Sequence, residues 1–224
     1  MPTIGEMIRG TAFLPRPLIQ WTTCLRGILV LSCLGISLVW FSVAWGAGTP
    51  TQAVKETIDQ VLSVLGDEAL KDPARTAERR EKLEASIGQR FEYEEMAKRT
   101  LGARWKKLSS EKQKEFVGLF QRFLTRSYAG NVDGYSGEEV EYLKERLKGD
   151  FAEVQTKVVS PKVEIPLDYR LLKKHDKWWV YDVIIDGISL TKNYRGQFSR
   201  IIKSSSFEAL LEKLRSKNEL AASS

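Results

Sequence analysis

Between Lys162 and Phe198 the chain reads KVEIPLDYRLLKKHDKWWVYDVIIDGISLTKNYRGQF, and its first third alternates strictly. Val163, Ile165, Leu167, Tyr169 and Leu171 share one parity, and Glu164, Pro166, Asp168 and Arg170 the other. A two-residue period predicts a half-buried strand. Lys173 to Lys177 is a polar turn, and Trp178 to Ile185 is a second run of aromatic and β-branched residues, so the pair predicts an antiparallel hairpin. The chain breaks at Asp186-Gly187, and Ser189 is placed to cap a helix carrying Leu190, Tyr194, Phe198, Ile201 and Ile202 on one side.

Upstream the period changes to 3.6. Thr49-Pro50 opens a helix with Val54, Ile58, Val61, Leu62 and Leu65 inward, ending at Gly66. A charged helix over Ala74 to Ile87 follows, and Phe91 to Leu101 then places Tyr93, Met96, Ala97 and Leu101 on one stripe. Gly102 stops that helix, and Trp105 falls in the connection. Ser110 and Gln113 form a capping box for a helix whose one face holds Phe116, Leu119, Phe120, Phe123, Leu124 and Tyr128. That is the most apolar surface of the chain after residue 47. Gly130 to Gly137 is a turn-rich connector. Glu139 to Leu147 and Phe151 to Val159 read as two more strands around Lys148-Gly149-Asp150. Phe207 to Leu214 closes the chain as a short helix, and 217–224 reads as a frayed tail. The expectation is an α+β domain over 48–216, with about four antiparallel strands and surrounding helices.

Composition changes the picture at one end. Arg9, Arg16 and Arg26 precede an apolar run from Ile28 to Trp45, and Ala44-Trp45-Gly46 offers small residues at the −3 and −1 positions. This is the pattern of a secretory signal over 1–47, cleaved after Gly46. The run is also about as long as the shortest spanning helix, roughly 17 residues, so an uncleaved inner-membrane anchor is the alternative. Val30-Leu31-Ser32-Cys33 is a weak lipoprotein box, because the apolar run continues past it. Both cysteines, Cys24 and Cys33, lie in this segment, leaving the remainder without thiol or disulfide. The whole chain carries +6, spread through mixed-sign runs that argue for solvated faces and against nucleic acid.

Candidate chemistry is sparse. The one histidine, His175, falls in the predicted turn, where no base–nucleophile pair can form around it. No cysteine or histidine cluster is available for a metal, and no Gly-rich phosphate loop is present. Asp168, Asp182 and Asp186 are the carboxylates worth weighing. Asp182 interrupts an apolar strand and is read as a partly buried acid held by a backbone or Arg partner; a small isomerase-type enzyme using Asp182 is the enzymatic alternative.

Three stretches together resemble the MlaC family, periplasmic phospholipid shuttles of a lipid-asymmetry system, also known as toluene-tolerance auxiliary components of an ABC transporter. They are Phe91-Glu-Tyr-Glu-Glu-Met96-Ala with Leu101-Gly102 and Trp105, the Phe116-Phe120-Leu124-Tyr128 helix, and Trp179-Val-Tyr181-Asp182-Val183 with Gly187, Ser189-Leu190 and Asn193-Tyr194-Arg195-x-x-Phe198. Glu92 and Tyr93 stand where the family more often has Asp and Phe. The resemblance implies an NTF2-like sheet enclosing an apolar lipid pocket, with phospholipid as cargo and no cofactor. It implies partners too: an inner-membrane ABC-transporter complex with a hexameric lipid-binding component, and an outer-membrane lipoprotein–porin complex. Hopanoid-binding relatives share the pattern, so the lipid stays open. On this reading the tails meet Met96, Leu101, Trp105, Phe116, Phe120, Phe123, Leu124, Tyr128, Val163, Ile165, Leu167, Tyr169, Leu171, Tyr181, Val183, Leu190, Tyr194 and Phe198. Arg195 is the candidate for the headgroup phosphate, or else a brace for Asp182.

Overall fold

The structure is a computed structural model, and it describes residues 48–129, 137–160 and 164–220. The signal or anchor segment, its cleavage site and the Cys33 box lie outside the described residues, as does most of the 130–137 connector. The described chain is α+β, with six α-helices and one five-stranded antiparallel sheet. Helix α1 spans Pro50–Gly66, α2 Thr76–Gly88, α3 Tyr93–Leu101 and α4 Ser110–Ala129. The strands are β1 Glu139–Lys148, β2 Phe151–Val159, β3 Glu164–Lys174, β4 Lys177–Ile185 and β5 Ile188–Ser189, followed by α5 Leu190–Ser204 and α6 Phe207–Leu220. No described helix is long and apolar enough to cross a membrane.

The sheet is a meander in the order β1-β2-β3-β4-β5. The β1–β2 and β3–β4 hairpins each turn on two residues. His175 and Asp176 adopt φ of 51° and 55°, and Gly149 takes φ 58° before Asp150, as right-handed strand twist favours. The fifth strand, absent from the sequence expectation, is only Ile188-Ser189. It folds back on Ile184 and Ile185 through the Asp186-Gly187 turn, both of whose residues have positive φ.

Two irregularities shape the sheet. Leu143 is an extra residue in β1 between the pairs Tyr142–Thr156 and Lys144–Gln155. Tyr181 is an extra residue in β4: Val180 pairs with Leu171 and Asp182 pairs with the adjacent Arg170. The second bulge reverses the strand's parity. Trp178 and Val180 therefore share a face with Val183 and Ile185, and Tyr181 is delivered to the opposite side. Where β4 bulges, its outer edge bonds to the segment before α3, with Glu92 N donating to Val180 O at 2.8 Å and Val180 N to Arg90 O at 2.9 Å.

Helix α1 covers the face formed by Ala152, Val154, Leu171, Trp178, Val180 and Val183, inserting Ala53, Val54 and Ile58. Polar contacts hold α1 at its first turn and at its middle. Thr51 donates from its N and Oγ1 to the Glu145 carboxylate at 2.8 and 2.6 Å, and Arg90 Nε donates to Thr57 Oγ1 at 3.1 Å. Helices α3 to α6 form a second core with Tyr181 and Leu172.

Two local expectations change. The cap of α4 is Ser109, whose carbonyl accepts from Gln113 N; the Gln113 amide instead donates to Trp105 O at 3.0 Å and so ties the 3-10 turn Gly102–Lys107 to the helix. The final helix runs to Leu220 rather than fraying after Leu214. Asn218 is buried, donates from Nδ2 to Leu119 O at 3.1 Å and accepts from Arg126 at its carbonyl, so the start of the expected tail is part of the core.

Candidate functional site

The apolar residues expected to form one lipid pocket fall into two cores. Met96, Leu101, Trp105, Phe116, Phe120, Leu124, Tyr181, Tyr194 and Phe198 belong to the helical core, with Phe123 packed at its edge. The rings interlock: Phe116 stacks on Phe120 at 5.6 Å, and Phe198 and Tyr194 meet Phe120 edge-on at 5.5 and 5.8 Å. Phe116, Phe120 and Met96 are 0% exposed, so this aromatic helix face is closed core in the conformation described, not an open wall. Leu171, Val183 and Leu190, with Leu167 and Tyr169 against them, belong to the core between α1 and the sheet. Ile165 is exposed, and Val163 and the Tyr128 side chain lie outside the described residues.

The α1-facing side of the sheet behaves differently from the helical core. Ile58, Tyr142, Leu167, Tyr169 and Ile185 there are only half-buried. Tyr169 retains accessible surface, yet burial pushes its hydroxyl well above the ordinary tyrosine range, with the nearby Tyr142 adding to the shift. Burial likewise pushes the Tyr142 hydroxyl up to about 12, helped by the Asp59 charge. This side of the sheet is less tightly closed than the helical core.

The other side of the sheet is charged. Arg146 reaches Glu153 at 3.6 Å, Arg170 reaches Glu153 at 3.3 Å, and Arg170 reaches Asp182 at 3.5 Å, a ladder crossing β1 to β4. Asp182 is buried where the ladder meets α5. Its carboxylate accepts from Ser189 Oγ at 2.6 Å and from Thr191 N at 3.0 Å, so it fastens the N-terminus of α5 to β4. Ser189 in turn accepts from Lys192 N at 3.2 Å, as the capping pattern predicts. With its oxygens committed to these donors, Asp182 is a structural brace, and the brace partner is Arg170 rather than Arg195.

Beside the brace a cleft of about 240 Å³ opens between Arg99, Arg170, Tyr181, Asp182, Thr191, Lys192 and Arg195. A second, of about 170 Å³, lies past Arg195 and is lined by Thr100, Leu101, Ala103, Arg104, Ser199 and Ile202. Arg99 stands 3.9 Å over the Tyr181 ring and pairs with Glu95 at 2.8 Å. Burial pushes the Tyr181 hydroxyl up against the opposing pull of Arg99 and Arg170. Because strand neighbours alternate, Arg170 and this cleft lie across the sheet from Tyr169 and Leu171. Arg195 and those two residues therefore do not form one site, which corrects the single pocket with a headgroup mouth that the sequence suggested. Arg99 was missed by sequence reasoning, since a Glu four residues before an Arg on a helix reads as a solvated pair. Only the tertiary position of Tyr181 reveals it. His175 is exposed at its turn, and no cluster of metal-ligating side chains occurs among the described residues.

Comparison with known proteins places this architecture. One solved structure, a phospholipid-binding protein from Ralstonia solanacearum in complex with a phospholipid, superposes with a TM-score of 0.70 at 26% identity, covering 78% of this chain and 99% of that one. A curated relative, the intermembrane phospholipid transport system binding protein MlaC of Haemophilus influenzae, is 22% identical over 122 residues. That match spans 52% of this chain and 57% of the relative's own length. The family profile described as MlaC protein matches residues 55–216, from α1 through α6, and the chain belongs to the MlaC family.

Proposed function

We propose that this protein is a phospholipid carrier of the periplasm, with the acyl chains held between α1 and the facing side of the sheet. The observation that carries the proposal is its likeness to a phospholipid-bound structure at 26% identity over 99% of that chain. Physical need agrees. Two acyl tails of about sixteen carbons represent roughly 25 kcal/mol against water at ~0.8 kcal/mol per CH₂, so a carrier must shield nearly all of each tail. A cavity of that kind falls in the range of roughly 300–1,000 Å³, larger than either charged cleft, and demands apolar walls. Leu167, Tyr169, Leu171, Val183 and Leu190 on the sheet side supply such walls, and Ile58 on α1 completes them. Loading widens the seam between α1 and the sheet, where the half-buried residues sit, rather than the interlocked rings of the helical core.

In the cell the carrier exchanges lipid with an inner-membrane transporter complex and an outer-membrane complex, after removal of the 1–47 signal segment. It performs no reaction on its cargo. Native mass spectrometry of protein purified without detergent tests the reading: phospholipid retained at about one per chain is expected, and a chain that never carries lipid, even after incubation with vesicles, overturns it.

A further inference from the structure

We infer that the cleft on the charged side of the sheet is a binding site for a phosphate group, separate from the tail site. Five cations line the two neighbouring clefts, which share Arg195: Arg99, Arg104, Arg170, Lys192 and Arg195. Three acids answer them: Glu95 on Arg99, Glu153 on Arg170, and Asp182, itself held by Ser189 and Thr191. Two positive charges remain in excess, and the side chains that carry them line the recess, with Lys192 and Arg195 at its exposed rim. Arg99 Nε is buried with no hydrogen-bond partner among the described residues, an uncommon state for a charged donor. The Arg99 guanidinium is already oriented by the Tyr181 ring and Glu95, so little side-chain entropy remains to be lost on binding. A tetrahedral oxyanion with several acceptor oxygens suits converging Arg and Lys donors; a carboxylate offers fewer. The space of about 240 Å³ admits a phosphate group and excludes a diacyl tail pair.

A free ion and the headgroup of an anionic bilayer both present this phosphate, and the experiment separates them. Inorganic phosphate is titrated into the purified protein by calorimetry at fixed ionic strength, for the wild type and two double variants. Lys192→Gln with Arg195→Gln removes two cleft charges; Lys213→Gln with Lys217→Gln removes two from the exposed side of α6. Measurable binding that weakens about tenfold or more in the first variant only is expected. Absence of phosphate binding in the wild type, or equal weakening in both variants, overturns the site. Sedimentation with phosphatidylglycerol vesicles identifies the source: vesicle binding that phosphate competes away assigns a headgroup, and phosphate binding without vesicle binding assigns the free ion. Co-purified phospholipid, measured on the same samples, stays unchanged in the cleft variant. Its level reports the carrier reading independently of the phosphate result.

Discussion

The guanidinium of Arg195 lies against Gly102, so that a Cβ there would stand 3.0 Å from its Nη2 and 3.2 Å from its Cζ. Gly102 ends α3 at φ 58°, ψ −131°, a conformation open to glycine and strained for other residues. The glycine thus serves the helix end and the seat of the Arg195 guanidinium at once. Gly102→Ala is expected to cost about 1–3 kcal/mol, chiefly from backbone strain, because the guanidinium can swing aside. Urea unfolding checks it through a lower midpoint at unchanged slope; an unchanged midpoint shows that the α3 terminus relaxes freely.

Asp182→Asn removes the charge that Arg170 meets and that Thr191 N and Ser189 Oγ address. A loss of about 1–3 kcal/mol is expected, with phospholipid retained by the folded fraction. Thermal unfolding and lipid quantification are the measurements. A variant as stable as the wild type and fully loaded, yet inactive in lipid exchange, would return Asp182 to consideration as a proton-transfer group.

The two apolar cores predict opposite outcomes for the same kind of change. Phe120→Asp places a carboxylate among Phe116, Tyr194 and Phe198, where water does not reach, and is expected to leave a protease-sensitive chain. Tyr169→Asp falls on a half-buried wall and is expected to yield a folded protein that has lost most of its phospholipid. Limited proteolysis beside lipid analysis distinguishes them. Tyr169→Asp retaining its lipid would move the tails away from the sheet.

Tyr142 and Tyr169 also predict an alkaline signature. Both hydroxyls are raised in the folded chain, Tyr142 to about 12, while an unfolded tyrosine ionises near 10. The unfolded chain therefore loses protons first, so stability is full below pH ~10 and declines as pH rises through about 12. Ultraviolet titration should show these two phenols ionising late, together with unfolding, and Tyr142→Phe with Tyr169→Phe should diminish that late step by the two phenols removed.

Much of the framework was legible because its determinants are local. His175-Asp176 and Gly149-Asp150 sit between alternating runs, Gly66 and Gly102 end helices, and Ser189 caps α5, each within a few residues of what it controls. The rest depends on partners distant in sequence. Gln113 is three residues from Ser110 and looks like a capping side chain, but the Trp105 carbonyl captures it. Asn218 looks like tail until Leu119 and Arg126 are placed against it. The site divided for a similar reason: Trp178 to Ile185 is apolar on nearly every position, so no parity shows which side chains meet α1 and which meet α5. Tyr181 and Arg195 stand in the stretches that carry the family resemblance and Tyr169 was read as lining the same pocket, and nothing along the chain puts the sheet between Tyr169 and Arg195.

The extra residue at Tyr181 gives the strand something like a reading frame. Upstream of it even numbers face α1, and downstream odd numbers do. Removing one residue there would not merely shorten a strand. It would exchange the assignments of everything beyond, turning Val183 and Ile185 toward the cations and Asp182 and Ile184 toward α1. Single-residue insertions or deletions in this segment should therefore act like frameshifts in space, silent in composition and disabling in effect, whereas conservative substitutions at the same positions remain local.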